Sequence, residues 1–437
     1  MFTKKLLFIV ALLINSSAFA TPDIQHWQTG NGAKVYFVNA PELPMIDIKV
    51  VFNAGSARDG VLPGTARMTN AMLDEGAADL DADEIATKFA SVGANYAASS
   101  ERDMAVLSLR SLTEDKAFTQ AMDMFVTVLS SPTFPQQSFQ RIQQQLLTGL
   151  QAEKQSPSAL ASRAFYAGLY GEHPYSEMPA GQAESVAKLT IADLKRFYQQ
   201  YYVSQNAVVV IVGAVDKNKA RDIADKLMSG LQQGKAAPTV ADVMPLMKSE
   251  QIQISYPSSQ TTILMGQTGI SRDDPDYFPL YVGNHILGGS GLVSQLSDEI
   301  REKRGLTYGV YSYFRPMQKQ GPYQFGLQTR NDQTQEALSV LKQTLNKFIA
   351  NGPTEDELTA AKRNITGGFA LRVDSNNKIA DYLSMIGFYN LPLDYLDNFN
   401  NKVDAVTVAD IKEAFKRRID ADKMLTVLVG GETAQSE

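Results

Sequence analysis

The sequence has no cysteine and only three histidines in 437 residues. Without cysteine there is no disulfide framework, so apolar cores must hold the fold together. A zinc site would then need histidines and carboxylates gathered together. His26, His173 and His285 are scattered, and no two lie one helical turn apart. A capping or core role suits each of them better. No D-x-D-x-D-G loop offers calcium or magnesium a home. Positive charge is not in excess either: the net charge is −6, and more negative still without Lys4 and Lys5. A mildly acidic chain lacks the basic face that nucleic acid requires. Past the N-terminus, no apolar run is long enough to span a membrane.

The concentrated apolar run is at the start. Lys4 and Lys5 precede Leu6 to Leu13, and Ala18-Phe19-Ala20 follows. This is the pattern of a cleavable secretory signal over residues 1–20. The run is too short to cross a hydrocarbon layer of about 30 Å. With no cysteine near Ala20, a lipid-anchored form is excluded. Export without disulfides leads to a bacterial periplasm as the expected compartment.

The rest of the chain is too long for one typical core, and it repeats itself. Leu189-Thr190-Ile191-Ala192-Asp193-Leu194-Lys195 is echoed by Val406-Thr407-Val408-Ala409-Asp410-Ile411-Lys412, 217 residues later. In each, the threonine is placed to cap a helix. Val208 to Gly213 is echoed by Leu425 to Gly430 at the same offset, and both read as buried strands ending in glycine. Upstream, Pro135-Gln136-Gln137-Ser138-Phe139 and Thr354-Glu355-Asp356-Glu357-Leu358 each open a long helix. Two similar domains are therefore expected, at 24–229 and 251–437, with 230–250 as a linker containing Gly234, Pro238 and Pro245.

Asp81 to Val92 reads as an amphipathic helix with Ile85, Phe89 and Val92 on one face. Tyr96 to Ser99 and Met104 to Leu109 read as paired strands around a polar turn, Ser100-Glu101-Arg102-Asp103. Strands and helices without strict alternation predict an α+β fold, with helices packed on mainly antiparallel sheets.

Several stretches together resemble the pitrilysin/insulinase family of zinc metallopeptidases. They are Asn53 to Asp59, Gly64 to Leu73, Ile85 to Gly93 and Asn95-Tyr96-Ala97, and the resemblance extends over the whole exported chain. In catalytic relatives the central stretch carries H-x-x-E-H on a helix, two metal-binding histidines with a glutamate that activates water. The resemblance places Arg67, Asn70 and Ala71 at those positions. The third ligand, a glutamate, falls at Gly149, as aligned by Lys154-Gln155-Ser156-Pro157; Glu153 is nearby. Arginine is a permanent cation, asparagine is not a base, and alanine and glycine carry no ligand atom. The chain by itself therefore holds no zinc and is not expected to be a peptidase alone.

The second half keeps what the first has lost. Asp298-Glu299-Ile300-Arg301-Glu302-Lys303-Arg304-Gly305-Leu306-Thr307-Tyr308-Gly309 resembles the family's substrate-clamping segment. The resemblance assigns Arg301 and Tyr308 as donors to the substrate backbone and to the oxyanion of the tetrahedral intermediate. Such donors are each worth roughly 3–4 kcal/mol. The plain alternative makes Arg301 a solvated helix residue and Tyr308 a core strand residue. Gly288-Gly289-Ser290-Gly291 lacks the G-x-x-x-x-G-K-[ST] pattern of a phosphate loop and reads as a flexible loop at the mouth of a substrate chamber.

The resemblance thus implies a non-catalytic subunit of a heteromeric zinc endopeptidase that degrades unstructured peptides in the periplasm. The zinc would belong to a homologous H-x-x-E-H partner, on whose site Arg301 and Tyr308 would act. The alternative is a catalytically inactive peptide-binding or scaffold protein of the cell envelope, using the sheet edge near Tyr96 to Ser99. A third reading, a metalloenzyme with unusual ligands, has no motif behind it.

Overall fold

The computed structural model describes residues 22–431. The signal peptide expected over 1–20 lies outside the described residues.

Two sheets of closely similar topology organise the chain. The first has the strand order Gln25–Gln28, Lys34–Asn39, Ala207–Gly213, Met45–Phe52, Ala105–Leu112, Asn95–Ser100. The second has the order Val310–Phe314, Pro322–Arg330, Gln260–Thr268, Leu425–Val429, Glu250–Ile254. Each has one parallel pair, Lys34–Asn39 with Ala207–Gly213 and Glu250–Ile254 with Leu425–Val429. The other pairings in these two sheets are antiparallel. Helices cover the sheets, and the α+β expectation holds.

The echoed motifs occupy matching places. Thr190 and Thr407 each accept from the backbone N–H three residues on, and Asp193 and Asp410 return the bond in a capping box. Gly213 and Gly430 each end the central strand against a neighbouring strand. A Cβ there would lie 2.4 Å from Met45 O and 2.7 Å from Gln260 O respectively, which only glycine avoids.

The two halves exchange helices. Pro157–Tyr170, from the first half, lays Ala161, Phe165 and Leu169 on Leu264, Leu425 and Val427 of the second sheet. Asn376–Tyr389, from the second half, lays Leu383 and Ile386 on Val51, Val208 and Val210 of the first. Burying these apolar faces stabilises the fold by roughly 25 cal/mol for each Å² removed from water. Asp381 on the second exchanged helix also pairs with the buried Lys49 of the first sheet.

The exchange repeats a short signal. Gly168 and Tyr170 on one helix correspond to Gly387 and Tyr389 on the other, 219 residues apart. A Cβ on Gly168 would come within 2.9 Å of Leu425 Cδ2, and one on Gly387 within 2.6 Å of Tyr36 Cε2. The glycines let each helix approach the other half's sheet, and the tyrosines bond across. Tyr170 Oη donates to Gln320 O at 3.1 Å, and Tyr389 Oη donates to Asp103 at 3.1 Å.

Local expectations fare unevenly. Ala82–Ser91 is a helix capped by Asp81, with Ile85 and Phe89 inward. Asn95–Ser100 and Ala105–Leu112 pair as read, but their turn is not a solvated one. Arg102 and Asp103 are buried where the halves meet. The stretch 231–249 forms neither helix nor strand, yet Val240 and Val243 are buried against Pro157–Tyr170, and strand Glu250–Ile254 already begins at Glu250. Nor is the glycine run a loose loop. Gly288 and Gly289 belong to a wide helical turn, His285–Gly289, and a Cβ on Gly288 would meet Ser312 Oγ at 2.3 Å.

Candidate functional site

The helix that would carry metal ligands is short, Thr65–Ala71. Asp59 starts it: its carboxylate accepts from Gly64 N and Ala66 N, both at 2.7 Å. Burial pushes the Asp59 carboxyl up to about 7, against the two amide hydrogen bonds that pull it down. Arg67 points to solvent. Asn70 is 2 % exposed and turned into the core, where Nδ2 donates to Tyr202 Oη at 3.3 Å. Ala71 is half-buried. Gly149 is exposed on Gln136–Glu153, with open space where a side chain would stand. The nearby Glu153 is held in an ion pair by Arg163 at 2.6 Å.

Zinc does not fit this set: one member is a cation, one is a core amide, and two have no donor. Among the described residues, no group of three or more His, Asp or Glu could hold a metal ion. The histidines have other work. His26 Nδ1 donates to Val35 O at 2.8 Å and the ring stacks on Tyr36. His173 caps a turn by accepting from Tyr175 N and ties down the linker by donating to Ala241 O. His285 is half-buried, and desolvation together with nearby Arg372 lowers its basicity.

The other half of the site is arranged for display. Arg301 lies in a wide helical turn, Ser297–Glu302, with its side chain about one-third exposed and Glu302 at 3.6 Å. Such π turns are frequent at functional sites. Arg301 O accepts from Gly305 N, closing the turn. Tyr308 follows in a loop with 90 % of its surface exposed, so it is not a core strand residue. The buried Thr307 beside it donates to Gln328 O at 2.7 Å and accepts from Gly309 N at 3.2 Å. That clip fixes the loop while leaving the phenol in solvent.

Tyr308 borders a groove of about 510 Å³ between the N-terminal end of Pro157–Tyr170 and the second sheet, with Ser158, Ser162, Thr262, Tyr311 and Gln328 on its walls. Among the described residues, no hydrogen bond or ion pair joins Arg301 to Tyr308, or either of them to Arg67, Asn70, Ala71 or Gly149.

One edge of the first sheet is Asn95–Ser100, which has a strand neighbour on one side; Gln25–Gln28 is the other edge. Its residues alternate between exposed and half-buried along its length, the pattern of a strand able to receive another. Sequence reasoning missed the contacts that place this edge: the buried Arg102 and Asp103, and the exchanged helices. The Gly-x-Tyr pair at 168–170 and 387–389 was the available signal.

Paired α+β sheets, with Arg67, Asn70, Ala71 and Gly149 where the family resemblance places metal ligands, define a peptidase-like protein. Residues 34–180 match the family described as insulinase, peptidase family M16, and residues 188–365 match the peptidase M16 inactive domain. The crystal structure of a peptidase M16 inactive domain from Pseudomonas fluorescens superimposes with a TM-score of 0.91 at 42 % identity, over 94 % of this chain and 99 % of that one. The chain belongs to the insulinase (M16) family. It is 25 % identical to a non-peptidase homolog, YmxG, of Helicobacter pylori, over 97 % of this chain and 98 % of that one. It is 22 % identical to an uncharacterized zinc protease, also YmxG, of Bacillus subtilis, over 93 % of this chain and 98 % of that one.

Proposed function

We propose that this protein is the non-catalytic, substrate-clamping subunit of a heteromeric zinc endopeptidase acting on unstructured peptides in the periplasm. The observation that carries the reading is an asymmetry. The metal helix has lost every ligand and Asn70 has been absorbed into the core, while Tyr308 is held in solvent by the Thr307 clip. An exposed aromatic on a fixed loop gains nothing for stability and is suited to a ligand. Arg301 and Tyr308 would donate to the peptide carbonyl as negative charge builds on it. The metal and its water would belong to a homologous partner with H-x-x-E-H. Export rests on the N-terminal signal pattern. No helix among the described residues is long and apolar enough to cross a membrane.

The test is co-expression with an H-x-x-E-H homologue encoded nearby, followed by assay of each chain and of the pair on a quenched peptide. Activity confined to the pair supports the reading. Full activity of the homologue alone, with no complex formed, removes it.

The open edge Asn95–Ser100 favours one other reading, a peptide-binding scaffold that adds an extended segment as a strand. In that case the isolated chain binds peptide, and Tyr308→Phe changes nothing.

A further inference from the structure

The turn after the first sheet's edge strand contains a buried cation with no acid opposite it. Arg102 is 3 % exposed. Its Nε donates to Tyr175 O at 3.2 Å, its Nη2 lies 3.1 Å from Met178 Sδ, and its guanidinium sits 3.5 Å over the Tyr166 ring. No ion pair among the described residues includes it. Its chain neighbour Asp103 faces elsewhere, accepting from Tyr175 Oη, Tyr389 Oη and Gln318 N. A buried guanidinium is ordinarily matched by a carboxylate, because stripping water from an unpaired charge is costly.

A second arginine stands beside it. Arg315 follows the edge strand of the second sheet and is half-exposed; it donates to the half-exposed Glu101 at 3.1 Å. Arg102 and Arg315 repel one another, and the phenols of Tyr166 and Tyr313 lie close to both. Tyr166 is almost fully buried, and its hydroxyl lies beside the Arg315 guanidinium. Burial raises the Tyr313 phenol above its usual range, so it stays protonated and able to donate. Four donor groups therefore converge near two carboxylates: the half-exposed Glu101, and the buried Asp103, whose oxygens are already taken by three other donors.

The location suggests what they receive. Asn95–Ser100 runs into Glu101-Arg102, and Val310–Phe314 runs into Arg315, so one outer strand of each sheet ends at this cluster. An extended peptide added to either edge would bring its end, or a side chain near it, to the arginines.

We propose that Arg102, Arg315, Tyr166 and Tyr313 form a carboxylate-binding site at the seam between the halves. Its ligand is a carboxylate of a bound peptide, either the terminal one or an acidic side chain. Guanidinium forks and phenol hydroxyls are the donors that such a group accepts from. Glu101 is the internal group that the ligand displaces from Arg315. Tyr313 stacks at 5.8 Å on Tyr311, which lines the groove beside Tyr308, but the proposed site uses different residues and does not depend on the catalytic partnership.

The test is fluorescence anisotropy on the purified chain with one unstructured peptide in three forms: a free-acid form containing glutamates, its C-terminal amide, and a form with Gln in place of each Glu. Amidation or the Gln exchange weakens binding about tenfold, and which of them does so identifies the source of the carboxylate. Arg315→Gln and Tyr166→Phe weaken binding of the free-acid peptide about tenfold, with thermal melting unchanged. Glu101→Gln tightens it, because a competing carboxylate is gone. A purely structural cluster would give the opposite sign or no effect for Glu101→Gln, and either result overturns the proposal. Equal binding of the three peptides, or none, also overturns it.

Discussion

Tyr389 donates its hydroxyl to Asp103 at 3.1 Å, joining residues 286 positions apart. The same carboxylate accepts from Tyr175 Oη at 2.6 Å and from Gln318 N at 2.7 Å. One acid thus fastens a turn of the first half to a strand connection and an exchanged helix of the second. Asp103→Ala leaves three donors unmatched at the seam and is expected to destabilise the chain by about 3 kcal/mol or more; Tyr389→Phe, by about 1 kcal/mol. Urea unfolding followed by circular dichroism checks this, and coincident midpoints for Asp103→Ala and the parent would contradict it.

The exchanged helices make a paired prediction. Gly387→Ala pushes a methyl to 2.6 Å from the buried Tyr36 ring, while Gly168→Ala meets the more adaptable Leu425 side chain at 2.9 Å. Overpacking of this kind typically costs about 1–3 kcal/mol. Both variants should unfold at lower urea than the parent, Gly387→Ala at the lower of the two. Faster proteolysis within 231–249 in both should accompany the loss.

Asp59 supplies a pH dependence. Its folded-state carboxyl lies at about 7, raised from its ordinary value of 3.8. The folded state therefore holds the proton more tightly than the unfolded chain does. The resulting stabilisation is full below about pH 4 and is lost as pH rises through about 7. Thermal melting of Asp59→Asn, compared with the parent across that range, should show a flatter profile. Parallel profiles would mean that Asp59 does not titrate there.

The clamping role proposed for Arg301 and Tyr308 would act on rate, not folding. In the assembled peptidase, Tyr308→Phe or Arg301→Ala should lower turnover about 10²–10³-fold. Melting of the isolated chain should not change, since Tyr308 is almost wholly in solvent. Undiminished turnover in both variants would remove these residues from the reaction.

The metal helix should resist simple repair. Asn70→Glu would bury a carboxylate beneath Tyr202 and is expected to destabilise the fold by about 2 kcal/mol. Dialysis against EDTA should leave the melting temperature of the parent where it was. A fall on chelation would reveal a metal held by the folded chain.

Particular residues show how much of this was legible. Thr190 with Asp193 and Thr407 with Asp410 announce two helices in the same register, and both helices form with the expected caps. Asp81 starts its helix where the pattern places it. Arg102 and Asp103 read as a polar turn in the sequence, because two charged residues between strands look solvated; in the fold Tyr166, Tyr175 and Met178 cover Arg102, and Tyr175, Gln318 and Tyr389 take up Asp103. Gly288 reads as loose chain in the sequence, because the tight contact that requires a glycine comes from Ser312, on the following strand Val310–Phe314.

The sequence by itself determined the repeated capping and strand motifs, the local elements and the poor ligand chemistry of Arg67, Asn70, Ala71 and Gly149, since these depend on periodicity, caps and the chemistry of single side chains. Only the tertiary structure decided the rest. It exchanged Pro157–Tyr170 for Asn376–Tyr389 between the sheets, buried Asp103 under Tyr389, and left Tyr308 in solvent beside a groove. The physical reason is that burial of a given side chain is set by whichever surface covers it. For Asp103 that surface includes Tyr389, 286 residues away along the chain.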